Sequence, residues 1–172
     1  MSEKDNLTKE EIMQNRLKEL YTGNPEWDNW CELYEYIKLF IFDYEIDMNL
    51  PKYMTQRLKG LRKGVFMVNK RDLPYSSYDF KTILYTFKAY RHQIQRECFT
   101  GNQSKWKNEQ HKWNYVMKII ENNINDIVLR LKNAKKAKEK TENLELKNQT
   151  HEGAEYKRKS KDIKDDTLNE LW

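Results

Sequence analysis

Apolar residues recur at intervals of three and four over most of the first 131 positions, and this spacing predicts amphipathic helices. The capping-box sequence "TKEE", Thr8 to Glu11, opens a first helix that ends at Gly23. Asn24 and Pro25 suit the N-cap and the first helical position of a second helix. Its apolar stripe is predicted to face the core and comprises Trp27, Trp30, Leu33, Tyr34, Ile37, Phe40, Ile41 and Tyr44.

A third helix is predicted from Pro51 to Gly64, because its apolar residues share one face of a helical wheel. The members of this buried stripe are Leu50, Met54, Leu58 and Leu61. The short apolar run that follows, residues 65–68, suits either a β-bridge or an extended connection. A run this short does not distinguish between the two.

Two more helices complete the predicted bundle. The fourth begins at Ser76 or Ser77, followed by Asp79, and ends at Gly101, and the fifth and longest is capped by Ser104. The fifth helix carries a heptad-like seam that suits packing along another helix: Trp106, Trp113, Met117, Ile120, Ile124, Ile127 and Leu131. Its partner is the second helix, the fourth helix, or the same helix of a second copy, which would give a homodimer through residues 106–131. The predicted fold class is all-α, a bundle of about five helices with a long C-terminal helix.

The composition changes after Leu131, and this change divides the chain. Residues 1–131 hold nearly all the aromatic and branched apolar side chains and form the predicted helical domain. Residues 132–164 hold eleven Lys and Arg against six Asp and Glu, so we expect a basic tail that begins as a helical stalk and then becomes disordered. Residues 165–172 form an acidic and then apolar terminal peptide.

Charge concentrates in the third helix and the loop after it. The formal net charge of the chain is +5, and no acidic residue occurs from Lys52 to Arg71. On the wheel, Lys52, Lys59 and Lys63 lie opposite the apolar stripe, over roughly 16 Å of helix. The candidate residues for binding nucleic acid or another anionic partner are Lys52, Arg57, Lys59, Arg62, Lys63, Lys70 and Arg71.

A row of cations of this length suits contacts with a phosphate backbone, where each contact releases counterions. The same pattern is typical of the solvated face of any amphipathic helix. The cationic clusters of the tail are equally open to both interpretations, because they raise non-specific affinity for a polyanion or simply keep the tail solvated.

The terminal peptide is a second candidate site. Leu168, Leu171 and Trp172 stand at i, i+3 and i+4, which places them on one face of a short helix. A tethered peptide of this form docks into grooves on other proteins. The alternatives are that it folds back on its own domain or merely ends the chain.

Catalytic and metal-binding patterns are missing from the sequence. His92, His111 and His151 lie on different segments, and there is no phosphate-binding glycine loop, nucleophile elbow or paired cysteine cluster. Cys31 and Cys98 lie within apolar helical segments and are predicted to be buried thiols in a reducing compartment. No apolar run approaches the roughly 20 residues that span a bilayer. We therefore expect a cytoplasmic protein that is not an enzyme, with no cofactor, metal or membrane partner.

The segments "YDFKTILYTFKAYRHQI" and "NEQHKWNYVMKIIENNINDIVLRLKN" resemble helical segments of replication-associated and accessory proteins of Gram-positive phages and plasmids. The resemblance covers Tyr78 to Asn133, and it lies in residue usage rather than in a defined motif, so it assigns no functional residue. It implies a mobile-element protein that acts on DNA or on a host machine that handles DNA, within a bacterial cytoplasm.

The sequence therefore leads to one preferred hypothesis and two alternatives. The preferred hypothesis is a non-catalytic phage accessory protein that binds nucleic acid through the basic helix and loop, in replication or packaging. The first alternative is a small interaction module that inhibits or recruits a host or defence enzyme. The second is a structural homo-oligomer.

Overall fold

The computed structural model describes residues 7–66, 71–72 and 77–150, with side chains described for 7–65 and 77–144. The all-α prediction is confirmed, because most of the described chain is helical. The helices are α1 (Lys9–Leu20), α2 (Pro25–Tyr36), α3 (Lys52–Arg62), α4 (Phe80–Ile94) and α5 (Glu109–Thr150). The chain divides into two compact units, Met1–Leu131 and Lys132–Trp172, and the hydrophobic core belongs to the first.

Short-range hydrogen bonds set the starts of α1 and α2 as predicted. The Glu11 amide donates to Thr8 Oγ1 at 3.3 Å, and the Thr8 amide donates to Glu11 Oε2 at 2.8 Å, so the capping box is present. Asn24 Oδ1 accepts from the amides of Glu26 and Trp27, with Pro25 at the first helical position. Both caps satisfy amides that have no partner within the helix.

The predicted starts of the last two helices are wrong. Asp79 caps α4, accepting from the Thr82 amide at 2.6 Å, so Ser77 is not the cap, and Ser76 lies outside the described residues. Ser104 lies in a 3₁₀ turn, Gln103–Lys105, and α5 begins only after Asn108, whose Oδ1 accepts from the His111 amide. A sequence with several cap-forming residues in a row does not show which one the tertiary structure uses.

Two π-helical segments extend α2 and α4, namely Ile37–Ile41 and Gln95–Phe99. The Gln95 side-chain amide donates to the carbonyls of Phe40 and Ile41, each at 3.1 Å, and so joins the two segments. Trp106 Nε1 donates to the Cys98 carbonyl at 3.1 Å. These side chains satisfy carbonyls that the ends of the helices leave without a partner.

The predicted buried stripe of α3 is confirmed, since Leu50, Met54, Leu58 and Leu61 are all buried. The stripe of α2 is only partly right. Its members from Leu33 to Ile41 pack in the core, but Trp27 is 46% exposed and Trp30 half-buried. Trp27 lies in the first turn of α2, and its ring donates its N–H to the Leu20 carbonyl at the end of α1.

The seam of α5 packs within the same chain. Trp113, Met117, Ile120, Ile124 and Ile127 are buried, whereas Leu131 is exposed and Trp106 precedes the helix. The Trp113 ring stacks on Phe87 of α4 at a centroid distance of 6.1 Å and an interplanar angle of 8°. The α5 seam therefore packs against the fourth helix, which was one of the three partners predicted from the sequence.

The apolar run after α3 forms a β-structure. Strand β1 (Val65–Phe66) pairs antiparallel with β2 (Arg71–Asp72), with Val65 opposite Asp72 and Phe66 opposite Arg71. The β-bridge alternative is thus correct for the described part of this run. Both cysteines are free and buried, as predicted.

Candidate nucleic-acid interface

Three helix ends meet at one concave part of the surface: the start of α2, the second half of α3 and the start of α4. They enclose an open pocket of about 290 Å³, which we call the aromatic pocket. Its lining residues are Asn24, Glu26, Trp27, Trp30, Lys59 and Phe80. Three of the six are aromatic, and one of the basic residues predicted from the sequence is among them.

Three of the predicted binding residues form what we call the α3 lysine face, Lys52, Lys59 and Lys63. All three are exposed, and none forms an ion pair with a described carboxylate. The Lys59 ammonium lies 5.2 Å from the centre of the Trp30 ring. A cation–π contact orients the ammonium without neutralising its charge, so this face presents three uncompensated positive charges.

The two arginines of α3 are held by the protein itself. Arg62 Nε donates to Glu26 Oε1 at 3.1 Å, and the guanidinium lies 6.0 Å from the centre of the Phe80 ring. Arg57 is half-buried, and burial lowers its pKa, while the charge of Glu121 raises it. Neither arginine presents a fully free charge, and this arrangement does not follow from the helical wheel.

The remaining predicted site residues are beyond the described side chains. The Arg71 backbone lies in β2, but its side chain is not described, and Lys70 lies outside the described residues. The same holds for Leu168, Leu171 and Trp172 of the terminal peptide. Lys59 lines the aromatic pocket, and Arg62 contacts two of its lining residues, Glu26 and Phe80. Lys52 is the first residue of α3, and Lys63 follows its last residue as the C-cap.

Trp27 and Trp30 are the residues that sequence reasoning missed, because their spacing assigned them to the core. The Trp30 ring lies 5.0 Å from Phe80, centre to centre, and forms a wall of the pocket. The Trp27 ring is fixed by its 3.0 Å hydrogen bond to Leu20 at the end of α1. The available signal was the position of Trp27, which lies two residues after Pro25 in the first turn of the helix and is the first member of the stripe.

The described residues form neither a metal centre nor a membrane-spanning helix. Within the described part of the chain, no group of three or more His, Cys, Asp or Glu side chains is placed to hold a metal ion. No helix among the described residues combines the length and apolar composition needed to cross a bilayer.

The fold and this surface define a helical protein with a cationic face beside a tryptophan-lined pocket. A family model described as "SPbeta prophage protein YorH" matches residues 4–169, so the chain belongs to that family of prophage proteins. No curated protein and no solved structure matches the chain. The family confirms the phage association that residue usage suggested, while a role in replication stays a prediction.

Proposed function

We propose that this prophage protein is a non-catalytic accessory protein that binds nucleic acid, acting in phage replication or packaging. The observation that carries the proposal is the α3 lysine face. Its three ammonium groups are exposed on one side of a helix, over roughly 16 Å, without carboxylate partners among the described residues. A surface selected only for solubility usually mixes charges of both signs.

The proposed contacts are with phosphates, and they have a measurable signature. Each lysine that neutralises a phosphate releases condensed counterions, so the logarithm of affinity falls with the logarithm of salt concentration. Every lost contact reduces the steepness of that dependence by about 1. The arginine–glutamate pair, Arg62 with Glu26, is expected to contribute less, because its charge is already compensated.

The test is a charge reversal with a position control. We expect Lys52→Glu, Lys59→Glu and Lys63→Glu together to abolish binding of a labelled duplex or single strand at about 100 mM salt. The slope of log affinity against log salt concentration should also become shallower by about 3. The control reverses Lys18, Lys107 and Lys118, which are exposed and lie outside α3. It makes the same change in net charge and should retain most of the affinity. Equal losses in both variants, or no binding by the native protein at about 50 mM salt, would refute the proposal.

A protein partner is the second candidate, and the exposed tryptophan favours it. Trp and Arg are enriched among the residues that dominate protein–protein binding energies. Trp27 lines the pocket, and Arg62 contacts two other lining residues, Glu26 and Phe80. In this second candidate function, the protein is an interaction module that inhibits or recruits a host or defence enzyme. This candidate function is supported if the native protein binds no nucleic acid and a pull-down enriches one host protein well above its share of the lysate, and if Trp27→Ala abolishes that enrichment.

A structural homo-oligomer has less support, because the predicted seam is already buried in one chain. A dimer through residues 106–131 would have to use exposed positions such as Leu129. Light scattering distinguishes the monomer from the dimer, since the mass of one chain is 21.1 kDa. A mass twice that value, reduced by Leu129→Asp, would favour the oligomer.

A further inference from the structure

We propose that the aromatic pocket accepts an unstacked nucleobase, so that single-stranded nucleic acid is the preferred ligand of this surface. The inference rests on the proposed function and adds the form of nucleic acid and the residues that select it. Its basis is the placement of Trp27, Trp30 and Phe80 beside the α3 lysine face.

The first step concerns Trp27, which is both exposed and immobilised. Nearly half of its surface is open to solvent, although its N–H is bound to the Leu20 carbonyl. Asn24 Oδ1 accepts from the Trp27 amide and fixes the backbone of the same turn. A ring held in place before the ligand arrives loses little conformational entropy on binding, which is the property of a stacking platform.

The second step concerns the size and chemistry of the pocket. Its volume of about 290 Å³ lies just below the range of about 300–1,000 Å³ typical of ligand sites, which suits one ring system rather than a large cofactor. Trp30 and Phe80 form an aromatic wall, and every base presents a π-face to such a wall. A base in a duplex is covered on both faces by its neighbours, so only an unpaired, unstacked base can enter.

The third step concerns charge. Lys59 belongs to both the pocket and the α3 lysine face, so a base in the pocket lies next to a cation available to its phosphate. The Glu26 carboxylate also lines the pocket, and it would repel a phosphate if it were free. Its ion pair with Arg62 at 3.1 Å compensates that charge. The combination of aromatic platforms with a cationic track is how proteins bind single strands without reading sequence.

An acidic peptide with an aromatic side chain is the competing occupant of the same pocket. Its carboxylates would use the lysines and its ring would use the tryptophans. The row of three lysines on α3 favours the nucleic acid, because a phosphate backbone supplies a continuous series of charges, one per nucleotide. The peptide is therefore an outcome of the test below.

The experiment compares Trp27→Ala and Trp27→Phe with Tyr85→Ala, an exposed aromatic residue that does not line the pocket. The probes are labelled oligo-dT of about 15 nucleotides and a duplex of the same length. We expect the native protein to prefer the single strand. Trp27→Ala should weaken single-strand binding by about 5- to 150-fold and change duplex binding by less than about 2-fold. Trp27→Phe should lose less, and Tyr85→Ala should behave like the native protein.

A spectroscopic measurement distinguishes loss of stacking from loss of folding. Stacking of thymine on Trp27 is expected to quench part of the tryptophan fluorescence, and Trp27→Phe should remove that part while retaining the circular dichroism of the native protein. The inference is overturned if single-strand and duplex binding fall equally, if neither falls, or if Trp27→Phe quenches like the native protein. If the base-stacking inference fails but the native protein still binds duplex in a salt-dependent way, the proposed function remains supported. Binding of a glutamate-rich phenylalanine peptide alone would overturn both.

Discussion

At the scale of single residues, the most unusual group is the Glu121 carboxyl on α5. It is 8% exposed, and its Oε2 has no hydrogen-bond partner among the described residues. Burial raises the pKa of Glu121 from about 4.5 to about 7, although the charge of Arg57 acts in the opposite direction. A carboxyl of this kind takes up a proton near neutral pH, which an exposed glutamate does not.

The stability of the protein should therefore depend on this proton. Between about pH 4.5 and 7 the folded state binds a proton at Glu121 that the unfolded state has already lost, so this group makes stability fall as pH rises through that range. Above pH 7 its contribution is constant. We expect Glu121→Gln to be more stable than the native protein by roughly 2–4 kcal/mol at pH 7.5, with little difference at pH 4.5.

Urea unfolding of both proteins at pH 4.5 to 7.5 measures this difference. Asp126→Asn is the matched control, because Asp126 is an exposed carboxyl on the same helix. Its stability should follow the native curve at every pH. If the native protein and Glu121→Gln also give parallel curves, Glu121 does not hold its proton as argued.

At the scale of elements, the segment joining α2 to the first π-helical segment contains an ion pair inside the core. Glu35 and Lys38 are both buried, Lys38 Nζ lies 2.8 Å from Glu35 Oε2, and it also donates to the Ile46 carbonyl at 3.0 Å. The pair links the end of α2 to the chain that follows. Its charges are costly to bury, and each depends on the other.

Removing one charge of this ion pair should therefore lower the stability of the protein more than removing both charges. We expect Lys38→Met to lower the free energy of unfolding by roughly 3–5 kcal/mol, because it leaves a buried carboxylate without its cation. The double variant Glu35→Leu with Lys38→Met should recover most of that loss. Equilibrium urea unfolding at pH 7 measures both. A double variant that is less stable than Lys38→Met would show that the pair itself contributes most of the stability.

At the scale of the whole molecule, the basic tail is a further source of positive charge. Lys135, Lys136 and Lys138 lie on the later part of α5 and are exposed. If they add non-specific affinity, replacing all three with Gln should weaken binding of duplex and single strand by the same factor and reduce the salt dependence by about 2–3. The preference for single strands should not change. A tail that serves only to solvate the chain predicts no effect on either probe.

The extent to which the sequence predicts this protein differs between the fold and the site. Caps such as Thr8 and Asn24 and the stripe from Leu50 to Leu61 were predicted correctly, because they depend on residues a few positions apart. Trp27 was assigned to the core for the same reason, since spacing shows which residues share a face but not how far the neighbouring elements cover it. The helical wheel likewise placed Arg57 and Arg62 correctly on α3 without showing their partners on other helices.

The sequence by itself determined the all-α class, the order and approximate extent of five helices and the row of lysines along α3. These properties follow from helical periodicity and from the composition of short segments. Only the tertiary structure decided which cations stay free, since Glu26 pairs with Arg62, which lies 36 positions away, and the charge of Glu121 acts on Arg57, which lies 64 positions away. It also placed Trp27, Trp30 and Phe80 around one pocket. Contacts between residues distant in sequence depend on how helices pack, and no local pattern encodes them.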